Sequence, residues 1–206
     1  MTLIVDLCGG TGSWSLPYVQ KGYDVVVVDP ATICKTGAVV LPLTVEALEQ
    51  DVDSPFHSLS IHGVLAAPPC THFSFGGVSW WKAKDEAGVT LDALGTVMCC
   101  LRLIERWQPN FWALENPIGR LRTLMPQLGK PTLVFQPFDY GDAYHKKTQL
   151  WGKFNIPKKT PVKSFRSMTK QFDGTDHPLY QRGLGRKVAR AITPLGFAFA
   201  FADSNP

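Results

Sequence analysis

Charge is in short supply in this 206-residue chain: 18% of residues are Asp, Glu, Lys or Arg, against 45% apolar ones. That balance excludes a mostly disordered polypeptide and fits one large globular domain, able to bury roughly 70% of the surface its unfolded form exposes. Glycine and proline, 18 and 16 in number, fall short of a low-complexity composition, and no internal repeat is visible. Long hydrophobic runs are missing too. The longest near-apolar stretch, Ile192–Ala202, is interrupted by Thr193, Pro194 and Gly196 and is too short to span a bilayer. The opening Met1-Thr2-Leu3-Ile4-Val5-Asp6 has neither the basic end nor the cleavage site of a secretory signal. The cysteines (Cys8, Cys34, Cys70, Cys99 and Cys100) are an odd set of five, without the paired spacing of a disulfide framework or zinc site. A reducing, cytoplasmic setting without membrane contact is expected, in which a specialised cysteine reads as a nucleophile rather than a staple.

The net charge of +4 conceals a split. Residues 1–144 carry 9 Lys+Arg against 14 Asp+Glu, and residues 145–190 carry 12 against 2. Such a basic block reads either as the footprint of a polyanionic partner or as a solvated surface segment.

Leu3–Leu7 is a short apolar run ending in Cys8-Gly9-Gly10-Thr11-Gly12, followed by Leu16-Pro17-Tyr18-Val19 with Ser13 or Ser15 as helix cap. The pattern predicts strand, glycine-rich turn and helix. Asp24–Asp29, with four consecutive valines, predicts a fully buried strand ended by an acid. Val45–Asp51 predicts an amphipathic helix, Ile61–Ala67 a strand closed by Pro68-Pro69-Cys70, and Leu91–Trp107 the longest helix. Phe111–Leu114 predicts a strand ended by Glu115-Asn116-Pro117; Thr132–Gln136 and Gln149–Trp151 are further strand candidates, and Ile192–Phe201 a closing helix. The β-turn-α-β opening indicates a parallel α/β sheet, where ligands sit outside the carboxyl ends of the strands. Four such ends carry the glycine-rich turn, Asp29, Cys70 and Glu115. Together they point to one crevice.

Each constellation has a functional and a plain reading. Gly10-Thr11-Gly12 with Asp29 suits a nucleoside cofactor whose ribose an acid can hold; the third glycine of a dinucleotide fingerprint is replaced by Ser15. An ordinary βα turn has the same residues. Cys70, stiffened by two prolines, is either a nucleophile or a small buried hydrophobe. His72 either assists that thiol or faces solvent. Glu115 at a strand end is either a partly desolvated acid able to exchange a proton near neutrality or a cap for loop amides.

In order and approximate spacing, Asp6–Gly12, Pro68-Pro69-Cys70-Thr71-His72-Phe73-Ser74 and Glu115-Asn116-Pro117 resemble the cofactor loop, Pro-Cys motif and Glu-Asn motif of the cytosine-5 DNA methyltransferases. Asp29 resembles that family's ribose acid, and Asp51-Val52 its reader of the adenine amino group. Tyr140–Gly152 resembles a reduced arginine-containing motif, and Ile192–Ala198 the closing motif of the cofactor pocket. The likeness covers most of residues 3–152 and again about 186–202. It implies a Rossmann-like α/β fold dependent on S-adenosylmethionine, with a mostly parallel sheet and helices on both faces. The catalytic core would span residues 1–152, with a short basic insertion over 153–185 and a returning segment over 186–206. The resemblance assigns catalysis to Cys70, Glu115 and Lys147, with no metal. It assigns the cofactor to Asp6, Leu7, Cys8, Gly10, Thr11, Gly12, Asp29, Pro30, Asp51, Val52 and Pro68, and the substrate to Pro69, Ser74, Asn116, Pro117 and Lys146. The implied partner is DNA, as a duplex with a flipped base or single-stranded.

The chain departs from the family's pattern at Cys8, Ser13, Thr71, Lys147 and Gln149, and only about 40 residues separate its late motifs. It resembles the compact phage-type members, which implies a short target motif or little specificity unless a dimer or partner supplies contacts. A catalytically degenerate nucleic-acid binder, the same chemistry on RNA or a free cytidine nucleotide, and transfer of a group other than methyl remain alternatives.

Overall fold

A computed structural model of the chain describes residues 2–31, 33–164 and 191–206. Its elements run β1 (Leu3–Leu7), α1 (Leu16–Gln20), β2 (Asp24–Val28), β3 (Val39–Leu41), α2 (Val45–Gln50) and β4 (Ile61–Ala66). Then come α3 (Trp81–Glu86), α4 (Val89–Trp107), β5 (Phe111–Pro117), α5 (Leu121–Leu124), β6 (Leu133–Phe135), β7 (Thr148–Lys153) and α6 (Leu195–Ser204). The strands form one sheet in the order β3-β2-β1-β4-β5-β7-β6. The five strands from β3 to β5 are parallel; β7 enters antiparallel between β5 and β6.

Alternation along the parallel strands builds two cores. Leu3, Val5 and Leu7 join Val64, Ala66 and Leu114 under α2 and α4, which contribute Leu48, Val97, Leu103 and Trp107. Ile4, Leu65 and Ala113 face the other way, onto Trp14, Tyr18, Phe197 and Phe201 from the chain around α1 and α6. Helices therefore cover both faces. Chain direction across the sheet reverses at β1: β2 and β3 lie on one side of it, β4 and β5 on the other. In such sheets the carboxyl ends of the strands on either side of that reversal, here those of β1 and β4, are the place used for ligands.

Several elements differ from expectation. No side chain caps α1: Ser15 is buried and its hydroxyl donates to Asp6 Oδ2 at 2.6 Å, while Ser13 Oγ reaches Thr193 O at 3.0 Å. Strand β3 has only three residues at the sheet edge, too few for a periodic signal. Helix α6 starts at Leu195 rather than Ile192 because Pro194 is extended (φ −56°, ψ 132°) and forms its N-cap. The first part of the expected basic insertion, residues 154–164, is mostly exposed but tied by its backbone to the turn after β6: Thr160 N bonds Asp139 O at 2.9 Å, and Val162 N bonds Phe138 O at 2.9 Å. Residues 165–190 of that segment lie outside the described residues.

Candidate active site

At the end of β1 the chain turns sharply. Cys8 takes φ 55°, unusual for a residue with a Cβ, and Gly10 takes φ 52°. A Cβ on Gly9 would fall 2.5 Å from Asp6 Cγ, so the turn can close over the carboxylate only with glycine there. Asp6 is fully buried; Ser15 satisfies one oxygen and Oδ1 has no partner. Burial pushes this carboxyl up to about 7, against the pull of the Ser15 hydrogen bond. Leu7 is buried in the core and Thr11 and Gly12 complete the turn, with Gly12 N donating to Gly9 O at 2.9 Å. A hydrogen bond with Cys100, followed by burial, raises the Cys8 thiol well above its ordinary range.

Asp29, one residue beyond β2, accepts from Gly10 N at 2.9 Å and Ala31 N at 2.8 Å. Those bonds fix the carboxylate against the turn. The space a Cβ on Gly10 would occupy has only Asp29 Oδ2 within 4 Å, and Pro30 beside it is exposed. An open, flat backbone next to a fixed, half-buried carboxylate fits a ribose, which offers two hydroxyl donors.

Asp51 and Val52 do not join this group. Both are exposed at the far end of α2. The last turn of that helix is bonded to the closing turns of α4: Arg102 Nη2 donates to Glu49 Oε2 at 2.7 Å and Arg106 Nη1 to Glu49 O at 3.2 Å. Since α4 leads into the start of β5, this places Asp51 and Val52 on the side of the strand beginnings. The acid nearer the glycine-rich turn is Glu46, whose charge acts on Cys8 and which accepts from Thr96 Oγ1 at 2.5 Å.

Beyond β4, Pro68 is buried and Pro69 exposed; Cys70 opens a short turn through His72 and is half-buried. Burial, then the charges of Lys84 and Arg120, lowers the His72 pKa from its usual value. Ser74 pairs with Gly119 in an isolated antiparallel bridge. The end of β5 lies beside it. Asn116, fully buried, donates through Nδ2 to Pro68 O at 3.1 Å and so ties the Cys70 loop to the end of β5. Glu115, 6% exposed, has no hydrogen-bond partner at Oε1, and neither does Asn116 Oδ1. Desolvation raises the Glu115 pKa; the Lys146 ammonium, 4.0 Å away, opposes the rise but is too far for a hydrogen bond. Lys146 Nζ donates instead to Ile192 O at 2.9 Å, which with the Ser13–Thr193 bond seats the C-terminal segment over the crevice. Pro117 is half-buried in the β5–β7 pairing, and Lys147 is exposed, meeting the site only through its carbonyl, which accepts from Ile118 N at 3.1 Å.

Sequence reasoning passed over Arg120. Its guanidinium donates to His72 O at 3.0 Å and as a fork to Asp85 at 2.6 and 2.7 Å, lies 4.6 Å over the Trp81 ring, and its backbone N–H reaches Phe73 O at 2.8 Å. One arginine thus holds the Cys70 turn, β5 and α3 together. Its spacing from Glu115 carries no periodic signal, and only the fold brings these partners within reach.

No protein-family model matches the chain, and no curated protein matches it in sequence. Among solved structures it is similar to a protein described as a DNA modification methyltransferase encoded within an Escherichia coli prophage: TM-score 0.54, 20% identity, covering 79% of this chain and 53% of that one. A mutant of the Spodoptera frugiperda protein DNMT2 gives TM-score 0.49 at 12% identity over 81% of this chain and 55% of that one. The chain therefore spans about half the length of these structures. The first likeness, with the sheet order, shows the fold: a Rossmann-like methyltransferase fold, mostly parallel, with helices on both faces.

Proposed function

We propose that the protein is a methyltransferase that uses S-adenosylmethionine to methylate carbon 5 of cytosine in DNA through a covalent Cys70 adduct. The observation that carries this reading is the buried Glu115 carboxyl. One of its oxygens is unpartnered, burial raises its pKa, and its neighbour Asn116 donates to Pro68 O, tying this strand end to the loop that bears Cys70. A strand-end carboxyl with an unpartnered oxygen and a raised pKa suits a protonatable ring nitrogen. The half-buried thiol one strand away suits the electrophilic carbon of the same ring.

Asp29, Gly10 and the turn from Cys8 to Gly12 would hold the cofactor's adenosyl part, and the open space over Gly10 fits it. When bound, S-adenosylmethionine supplies an electrophilic methyl group to carbon 5. The protein's own residues make that carbon reactive. As the Cys70 thiolate forms a bond to carbon 6, Glu115 delivers its proton to nitrogen 3, and the ring's electron pair moves toward carbon 5. After methylation a base takes the carbon 5 proton, the sulfur–carbon 6 bond breaks to release the Cys70 thiolate, and nitrogen 3 returns its proton to Glu115. Lys147, at the exposed rim, would meet phosphates, while the largely buried Lys146 would stay beside Glu115, bonded to Ile192 O. In a duplex the target base must leave the stack to reach this crevice.

Replacing Cys70 with Ala is expected to abolish transfer while nucleic acid and cofactor still bind. Mass spectrometry of nucleosides from DNA and from RNA incubated with labelled cofactor checks this. Label in 5-methylcytosine from DNA that vanishes with Cys70→Ala supports the reading; an unaffected rate removes Cys70 as nucleophile, and label in RNA alone reassigns the substrate.

A further inference from the structure

Immediately after the Cys70 turn the chain exposes apolar side chains that a folded domain ordinarily hides. Phe75 is 56% exposed, Val78 54% and Trp80 65%, the last being the most exposed of the six tryptophans. They stand on a tightly held segment. Phe75 N donates to Ile118 O at 3.3 Å, Lys84 Nζ to Thr71 O at 2.5 Å, and Arg120 grips Asp85. The Arg120 guanidinium lies 4.6 Å over Trp81, and the Trp81 ring centroid is 5.7 Å from that of Phe75. Cation and two rings lie in a row, the Phe75 ring tilted 38° to that of Trp81, covered at the arginine end and exposed at Phe75. Alongside, Ile118, Gly119, Arg122, Thr123 and Gln149 line an open groove of about 550 Å³. Phe75 reaches that groove's wall through its bond to Ile118. Arg122 on the groove wall is an exposed cation, and Lys82 on α3 is another, 3.9 Å from Glu86.

We propose that the segment from Phe75 to Trp80 is a stacking platform for unpaired nucleotides of a single-stranded nucleic acid, with the phosphate chain following the groove beside Arg122. The proposal rests on the nucleic-acid reading above and makes that substrate single-stranded at the platform. Ring faces next to guanidinium and ammonium groups match what a polynucleotide offers, flat bases joined by anions. A protein partner would match the apolar area alone.

Equilibrium binding of oligodeoxythymidylate, oligouridylate and a blunt duplex of equal length tests this, with the unaltered protein and with Phe75→Ala, Trp80→Ala and Phe75→Leu. Both alanine variants are expected to lose about 5- to 150-fold in single-strand affinity per stacked base. Phe75→Leu should lose as much, since it keeps apolar bulk and removes the ring face. The two single-stranded arms separate deoxyribose from ribose. Tryptophan emission of the unaltered protein should be quenched by the single strand, a readout independent of any variant's folding. Full affinity in Phe75→Leu, unaltered emission, or a duplex bound at least as tightly as the single strand would overturn the platform. Methyl transfer by the same protein preparations, measured separately on cytosine-containing DNA and RNA, keeps the two proposals apart. Active protein with unchanged affinity in both alanine variants sinks only the platform, and platform-dependent binding without transfer sinks only the chemistry.

Discussion

Two buried carboxyls set the character of the site, and both are raised by the same cause. Asp6 and Glu115 sit in the protein interior with one oxygen each unpartnered. Native Asp6 keeps its proton to about pH 7, whereas the unfolded carboxyl releases it near 3.8. Between those values the native chain binds more protons than the unfolded chain, so stability falls as pH rises through that window and levels off above it. The loss from Asp6 is on the order of 4 kcal/mol, and Glu115 adds to it in the same direction. Urea unfolding at several pH values should show this decline, and Asp6→Asn should flatten most of it. A wild-type stability that rises between pH about 4 and 7 would mean that Asp6 is ionised and paired in the folded chain.

At the scale of elements, the site depends on how strand ends are tied to one another. Asn116 joins β5 to the Pro68 carbonyl, and Arg120 joins the Cys70 turn to α3. Arg120→Ala should loosen the Cys70 turn without melting the sheet. Hydrogen exchange over residues 70–86 should accelerate about tenfold or more while β4 and β5 stay protected; unchanged exchange there would deny Arg120 its clamping role. The strands β1, β2, β4 and β5 were legible because continuous apolar runs with sharp polar ends have few other meanings. Their ends located Cys70, Asp29 and Glu115. What was hidden depends on partners distant in sequence: the antiparallel entry of β7, which side-chain pattern does not encode, and the convergence of Arg120 on His72 and Asp85. Exposed α3 has no buried face to announce it. Asp51 lies apart from the crevice because β3, too short to show in the sequence pattern, ends at Leu41, and α2 carries the chain away from that strand end before Asp51 is reached.

Taken whole, the molecule divides into an acidic α/β body and a basic run near one end, with the crevice at the strand ends between the glycine-rich turn and the C-terminal segment. Among the described residues no single helix is long and apolar enough to cross a membrane. The arrangement makes sense if Cys70 and Glu115 act on one pyrimidine ring. DNA carrying 5-fluorocytosine tests that most directly, because fluorine cannot leave carbon 5 as the proton does and the final elimination stalls. Incubated with the protein and S-adenosylmethionine, such DNA should form a denaturation-resistant adduct whose modified peptide contains Cys70. An active preparation that forms no adduct, or one linked through another residue, would contradict the assignment.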